Sequence, residues 1–183
     1  MKELRPALRF LGIFLGLYLG LNVIYGLWIS SYGSAPDSAT WLVTKQTSAI
    51  LNLFGEQTTV TENPGMPSVA IQVGMRSALN VYEGCNGLNV MIVFVAFIFA
   101  FGGNRKKLAW FVPLGIVLIY VINLVRVVAL YYVAEHWEAY FYYVHKYAFT
   151  GVLYLFVLGL WWWWIEKVNG ISLRSAMKPK SNQ

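Results

Sequence analysis

Cys85 is the only cysteine in the chain, and it sits in the stretch EGCNG, with Gly84 before it, Asn86 and Gly87 after it, and Glu83 opening the motif. A long uncharged run, LNVMIVFVAFIFAF, follows at once. A lone thiol at the mouth of an apolar segment has two readings. It is a small buried hydrophobe, or it is a nucleophile. The apolar run predicts a helix beginning at Cys85, and the partial positive charge of a helix N-terminus stabilises a thiolate. The flanking glycines permit a tight turn and the close approach of a substrate backbone.

Two other residue types sharpen the question. Arg126 lies inside the apolar stretch YVINLVRVVALYYV, with Asn123 three residues earlier on the same helical face. Counted from Leu108 at about 1.5 Å per residue, Arg126 falls roughly 27 Å along its helix, near the far surface of a bilayer. An arginine in a span is costly. It either snorkels or pairs with Glu83 or Glu135, or it holds a substrate carbonyl and the oxyanion that forms from it. The histidines are His136, between two acids in AEHWE, and His145, in VHKYAFTGVLY at the head of another apolar segment. A histidine can take the thiol proton and return it to a leaving amine. Cys85, Arg126 and a histidine would therefore meet at one depth from three different helices.

Those helices are expected in a membrane. Of 183 residues, 58% are hydrophobic and 12% charged, with mean hydropathy +0.55, too apolar for the surface of a soluble domain of this size. The fold class read from this is an all-α polytopic membrane protein with about four transmembrane helices. Each span needs about 20 apolar residues, and runs at about 7–30, 85–101, 108–132 and 147–165 qualify. The net charge of +6 marks cytoplasmic loops rather than nucleic-acid binding. With four spans, Lys2, Arg5 and Arg9, then Arg105–Lys107, then Lys167, Arg174, Lys178 and Lys180 all fall on one side. The positive-inside rule then puts both termini in the cytoplasm and Cys85 on the periplasmic or exterior face.

Residues 31–84 form an extracytoplasmic insertion, 85–165 the core helices and 166–183 a basic cytoplasmic tail. Within the insertion, Asp37 or Ser38 is a helix cap. WLVTKQTSAILNLFG predicts an amphipathic helix lying on the membrane surface, with Trp41, Leu42, Ala49 and Leu53 near one face. VAIQVGMRSALNVY predicts a short β-hairpin running straight into Cys85. Residues 133–146 form the second outer loop. The run WWWWIEK points its tryptophans all round a helix, which suits an interfacial belt rather than one ligand cage. One cysteine and two histidines make a structural zinc site improbable, and no organic cofactor motif is present.

Taken together, G-C-N-G around Cys85, N-x-x-R from Asn123 to Arg126, and His145 at the head of the next span resemble the exosortase/archaeosortase family of membrane cysteine transpeptidases, and most of all its compact exosortase F type from Bacteroidetes. The resemblance covers about residues 81–164. It implies Cys85 as nucleophile, His145 as general base and acid in preference to His136, and Arg126 as electrostatic stabiliser, with Glu83, Asn86, Gly87 and Asn123 in support. It implies substrates that are secreted proteins carrying a C-terminal sorting signal of motif, hydrophobic span and basic tail, with a lipid or glycan acceptor, in a cytoplasmic membrane. The chain departs from the commoner family pattern in its four spans, against about eight, and in Asn86, where A-C-S-G has serine. Arg76, Glu83 and Trp41 are candidate contacts for the motif. A transporter would place polar groups at mid-membrane, whereas the middles of these spans are apolar.

Overall fold

The computed structural model describes residues 4–170. Arg174, Lys178 and Lys180 of the basic tail, and Lys2, lie outside them. The chain is a multi-pass membrane protein with a small α/β cap at one end. Its first element, α1 (Leu4–Ser30), is followed by α2 (Ser38–Leu53), strands β1 (Thr58–Glu62), β2 (Ser68–Val73) and β3 (Arg76–Tyr82), then α3 (Leu88–Phe101), α4 (Arg105–His136) and α5 (Glu138–Val168).

Three helices, α1, α4 and α5, are long and apolar enough to cross a membrane, and α3 is a shorter apolar helix. The expected span at 85–101 is thus only 14 residues of helix, about 21 Å at 1.5 Å per residue. Gly102, at φ +74°, ends it. It packs against α1 in the opposite sense, with Tyr25 of α1 beside Asn86 at one end and the Phe10 and Phe97 rings 5.5 Å apart towards the other.

Basic residues of α1 and α4 gather at the second of these ends, while Lys45, Arg76 and Lys146 lie at the first. Arg5 and Arg9 line a groove with Phe101 and Gly102, and Lys107 Nζ donates to the Val168 carbonyl across the α4–α5 seam. Phe94, Ile98, Phe111, Ile119, Val157 and Trp164 fill the bundle core. The tryptophan run divides as its helical spacing requires. Trp164 is buried against Phe111, Trp161 stacks on Phe97 at 4.0 Å, and Trp162 is exposed. Part of the run is therefore bundle core, and Trp162 is the member left on the outer surface.

At 32 residues, α4 extends about 48 Å, well beyond an apolar layer of roughly 30 Å. Its far end emerges from the bundle and becomes the floor of the cap. There Val127, Leu130 and Tyr131 pack with Val43 and Leu51 of α2, Ile71 of β2, and Leu79 and Val81 of β3. The sheet is antiparallel in the order β1-β2-β3. The hairpin is as expected, turning at Gly74 and Met75, and β1 is an additional strand. Asp37 caps α2, its Oδ1 accepting from the Ala39 and Thr40 amides at 2.9 Å.

The helix α2 buries its small polar stripe, Thr40, Thr44, Thr47 and Ser48, together with Val43 and Leu51. Thr44 and Thr47 hydroxyls donate back to carbonyls one turn earlier, so the stripe enters the core satisfied. Leu42, Ala49 and Leu53 remain exposed on the opposite face. The expected outer loop at 133–146 is a correction. The helix that carries the fourth expected span begins before Tyr147; α4 continues to His136, only Trp137 intervenes, and α5 starts at Glu138. Residue Trp137 satisfies both ends, its amide donating to Val133 and its carbonyl accepting from Tyr140.

Candidate active site

Cys85 lies where the two cores meet. After β3 the chain makes a single 3₁₀ turn, Glu83–Cys85, and α3 begins at Leu88. The thiol therefore does not sit on the N-terminus of α3, as the apolar run suggested. That end is occupied by Asn86, whose Oδ1 accepts from the Leu88 amide at 2.9 Å. Gly87 makes the bend between turn and helix at φ +84°, a conformation that side chains other than glycine rarely adopt. An added Cβ there would stand 3.1 Å from Asn123 Cγ, so close approach and backbone conformation both demand glycine. Gly84 meets neither demand, since nothing lies within 4 Å of the position its Cβ would take.

Three elements supply the polar groups. From α4, fully buried Asn123 donates through Nδ2 to the Cys85 carbonyl at 2.9 Å, tying the turn to the helix. Arg126, one turn on, places its NH1 3.4 Å from Asn123 Oδ1 and its NH2 3.4 Å from His145 Nε2. From α5, His145 brings the same Nε2 to 3.6 Å from Cys85 Sγ, contact distance for a sulfur donor. The histidine is carried by a π-helical turn, Val144–Ala148. Such turns insert a residue into the helical register and re-aim its side chain. Phe141, one turn earlier, lies parallel to the imidazole with ring centroids 5.7 Å apart.

These contacts have a chemical sense. A guanidinium has donors only, so its approach to Nε2 requires that nitrogen to present a lone pair. The same lone pair faces the thiol. Arg126 Nε is buried and has no hydrogen-bond partner among the described residues. Buried donors are nearly always satisfied, and this one is an exception. Alongside the pair is a cavity of about 120 Å³, walled by Leu79 and Val81 of β3, Val127 and Leu130 of α4, and Phe141.

The structure brings Cys85, Arg126, His145, Asn123 and Gly87 together and sets Asn86 and Glu83 one layer out. His136 is elsewhere, stacked on Tyr132 and edge-on to Trp137. Arg126 pairs with neither Glu83 nor Glu135. Glu135 instead accepts from Arg76 at 2.6 Å, and Glu83 takes part through its carbonyl, with the Tyr25 hydroxyl 3.4 Å away. Lys45 lies over the Trp41 ring, 5.0 Å from its centroid. Sequence reasoning missed Tyr25, whose hydroxyl also accepts from Asn86 Nδ2 at 3.3 Å and links α1 to the Cys85 turn. Nothing in the sequence sets it apart from Tyr18, the other tyrosine of α1. It also missed Phe141, placed in a loop by the boundary error above.

Comparison with curated proteins and with solved structures returns no match. A family model does match, described as transmembrane exosortase, over residues 13–164, a stretch that contains every residue of the cluster. With most of its length covered, the chain belongs to the transmembrane exosortase family.

Proposed function

We propose that the protein is a membrane-embedded cysteine transpeptidase that cleaves the C-terminal sorting signal of exported proteins and passes them to an acceptor. The observation that carries this reading is one nitrogen, His145 Nε2, within 3.6 Å of Cys85 Sγ and 3.4 Å of Arg126 NH2. In the first step Sγ attacks the scissile carbonyl carbon as its proton passes to Nε2. Protonated Nε2 no longer accepts from Arg126, so the guanidinium turns its N–H groups, with the orphan Nε, to the new oxyanion. Collapse breaks the C–N bond, and the leaving amine takes the proton from His145. A thioester on Cys85 remains. An amine or hydroxyl of a lipid or glycan then attacks it, yields its proton to Nε2, and releases Cys85 as the thiol once that proton returns to sulfur.

The placement suits such a substrate. The cluster lies at the end of the bundle away from Arg5, Arg9 and Lys107, in keeping with a periplasmic or exterior site and cytoplasmic termini. A hydrophobic sorting tail packed against the helices would present its preceding motif beside Cys85, replacing a deep soluble cleft by proximity. The test is the C-terminal mass of an exported reporter carrying a hydrophobic, basic tail, co-expressed with the protein. Transfer leaves a C-terminus heavier than the free acid by the acceptor less water. A free carboxylate at the cleavage point would make the enzyme a hydrolase with the same residues. An intact tail on every family-type signal offered would refute the enzyme reading.

A further inference from the structure

β3 is an edge strand. It pairs with β2 on one side, and among the described residues no other strand pairs with its second side. It also leads directly into the turn bearing Cys85. Along it runs an open groove of about 520 Å³, bounded by Arg76, Ser77 and Tyr82 on the strand and by Ala134, Glu138 and Tyr142 on the helices opposite. The groove and the 120 Å³ cavity beside Cys85 share Leu79, Asn80, Tyr82 and Phe141 as walls, so the two adjoin along β3. The Arg76–Glu135 ion pair stands at its far end.

From this adjacency we infer that the substrate's recognition segment binds as an added strand along the open edge of β3, with the side chain next to the scissile bond lodged in the cavity. The inference rests on the catalytic reading of Cys85 and specifies how the substrate is read. Edge-strand addition uses the main chain for affinity and alternate side chains for specificity. An exposed strand edge otherwise invites indiscriminate pairing, which folds normally suppress. β3 runs toward the bundle, and so does a substrate whose tail enters the membrane after the cleavage point. The added strand is therefore parallel to β3, its earlier residues towards Arg76.

The cavity sets the side chain. It is apolar on most sides and slightly smaller than the roughly 150 Å³ cavity that admits a benzene ring. A small or branched aliphatic group fits, and an indole does not.

The experiment uses the purified full chain in detergent and peptidyl chloromethyl ketones as probes. The Cys85 sulfur displaces chloride to give a thioether, read as a mass increment on the protein. Tetrapeptide probes ending in Ala, Val or Trp are compared, and each amide of the Val probe is N-methylated in turn. The expected result is labelling at least about tenfold faster for Ala and Val than for Trp, and a loss of about tenfold, the order of one backbone hydrogen bond, at alternate amides only. In Leu130→Phe, which intrudes on the cavity, the Val preference falls. Labelling rates indifferent to the terminal residue and to every N-methyl group would overturn the inference. Iodoacetamide separates this from failure of the catalytic reading. If it alkylates Cys85 faster in wild type than in His145→Ala, the pair is active and only the docking mode is wrong. If it does not, the catalytic reading itself fails and the docking inference falls with it.

Discussion

Gly87→Ala tests the geometry of the site without touching a reacting atom. The substitution asks alanine to hold φ +84°, at a cost of about 1–2 kcal/mol. Its Cβ would lie 3.1 Å from Asn123 Cγ and 3.2 Å from Nδ2, so the amide must give way. That amide holds the Cys85 carbonyl at 2.9 Å, and a buried bond of this kind contributes about 0.5–1.5 kcal/mol, with about 1–3 kcal/mol lost if one partner is left unsatisfied. The expected total is about 2–4 kcal/mol. The backbone share appears as a lower unfolding temperature in detergent. The Asn123 share loosens Cys85 relative to His145 and lowers reporter processing by about tenfold, the equivalent of about 1.4 kcal/mol. Gly84→Ala, immediately before Cys85 but in open space, leaves both quantities within error of wild type. The double variant Gly87→Ala/Asn123→Ala is less impaired than the two single effects summed, because they act through one contact. Additive effects, or equal losses from Gly84→Ala and Gly87→Ala, would refute the reasoning.

Other expectations follow from the same contacts. Gly115→Ala places a Cβ 2.1 Å from Phe94 Cζ in the α3–α4 seam; it destabilises the bundle by about 1–3 kcal/mol, read as a fall in unfolding temperature. Arg126→Lys keeps the charge but cannot span Asn123 and His145 at once, so reporter processing drops at least about tenfold while expression in the membrane fraction is retained. His145→Ala abolishes processing, whereas His136→Ala, remote from Cys85, leaves it near the wild-type rate; equal effects of the two would reverse the assignment of the base.

Much of this molecule was legible because its strongest signals are local. Runs of apolar residues marked α1, α4 and the body of α5, and Val-Ala-Ile-Gln-Val ahead of Gly74 marked the hairpin. Cys85, Arg126 and His145 were legible because each is chemically out of place in its surroundings, and depth along the helices brought them level. What escaped notice depends on tertiary contact. β1 reads TTVTE, with too few apolar residues to show a strand period, and it is held by pairing with β2 and by Asn52 bonding to Thr58. The buried stripe of α2 is threonine and serine, so hydropathy gives that face no signal. Tyr140, Tyr142, Tyr143 and His145 made the start of α5 look like a loop, although it continues the helix that carries the histidine. The π turn at His145 has no sequence signal at all, yet it aims the imidazole.

The central claim is that Cys85 forms the covalent bond to substrate. The most direct measurement is the size of the co-expressed, tail-bearing reporter with wild type, Cys85→Ala and Cys85→Ser at matched membrane expression. The account predicts a trimmed reporter with wild type and an intact one with both variants. Normal trimming by either variant would contradict it and leave the thiol a structural group.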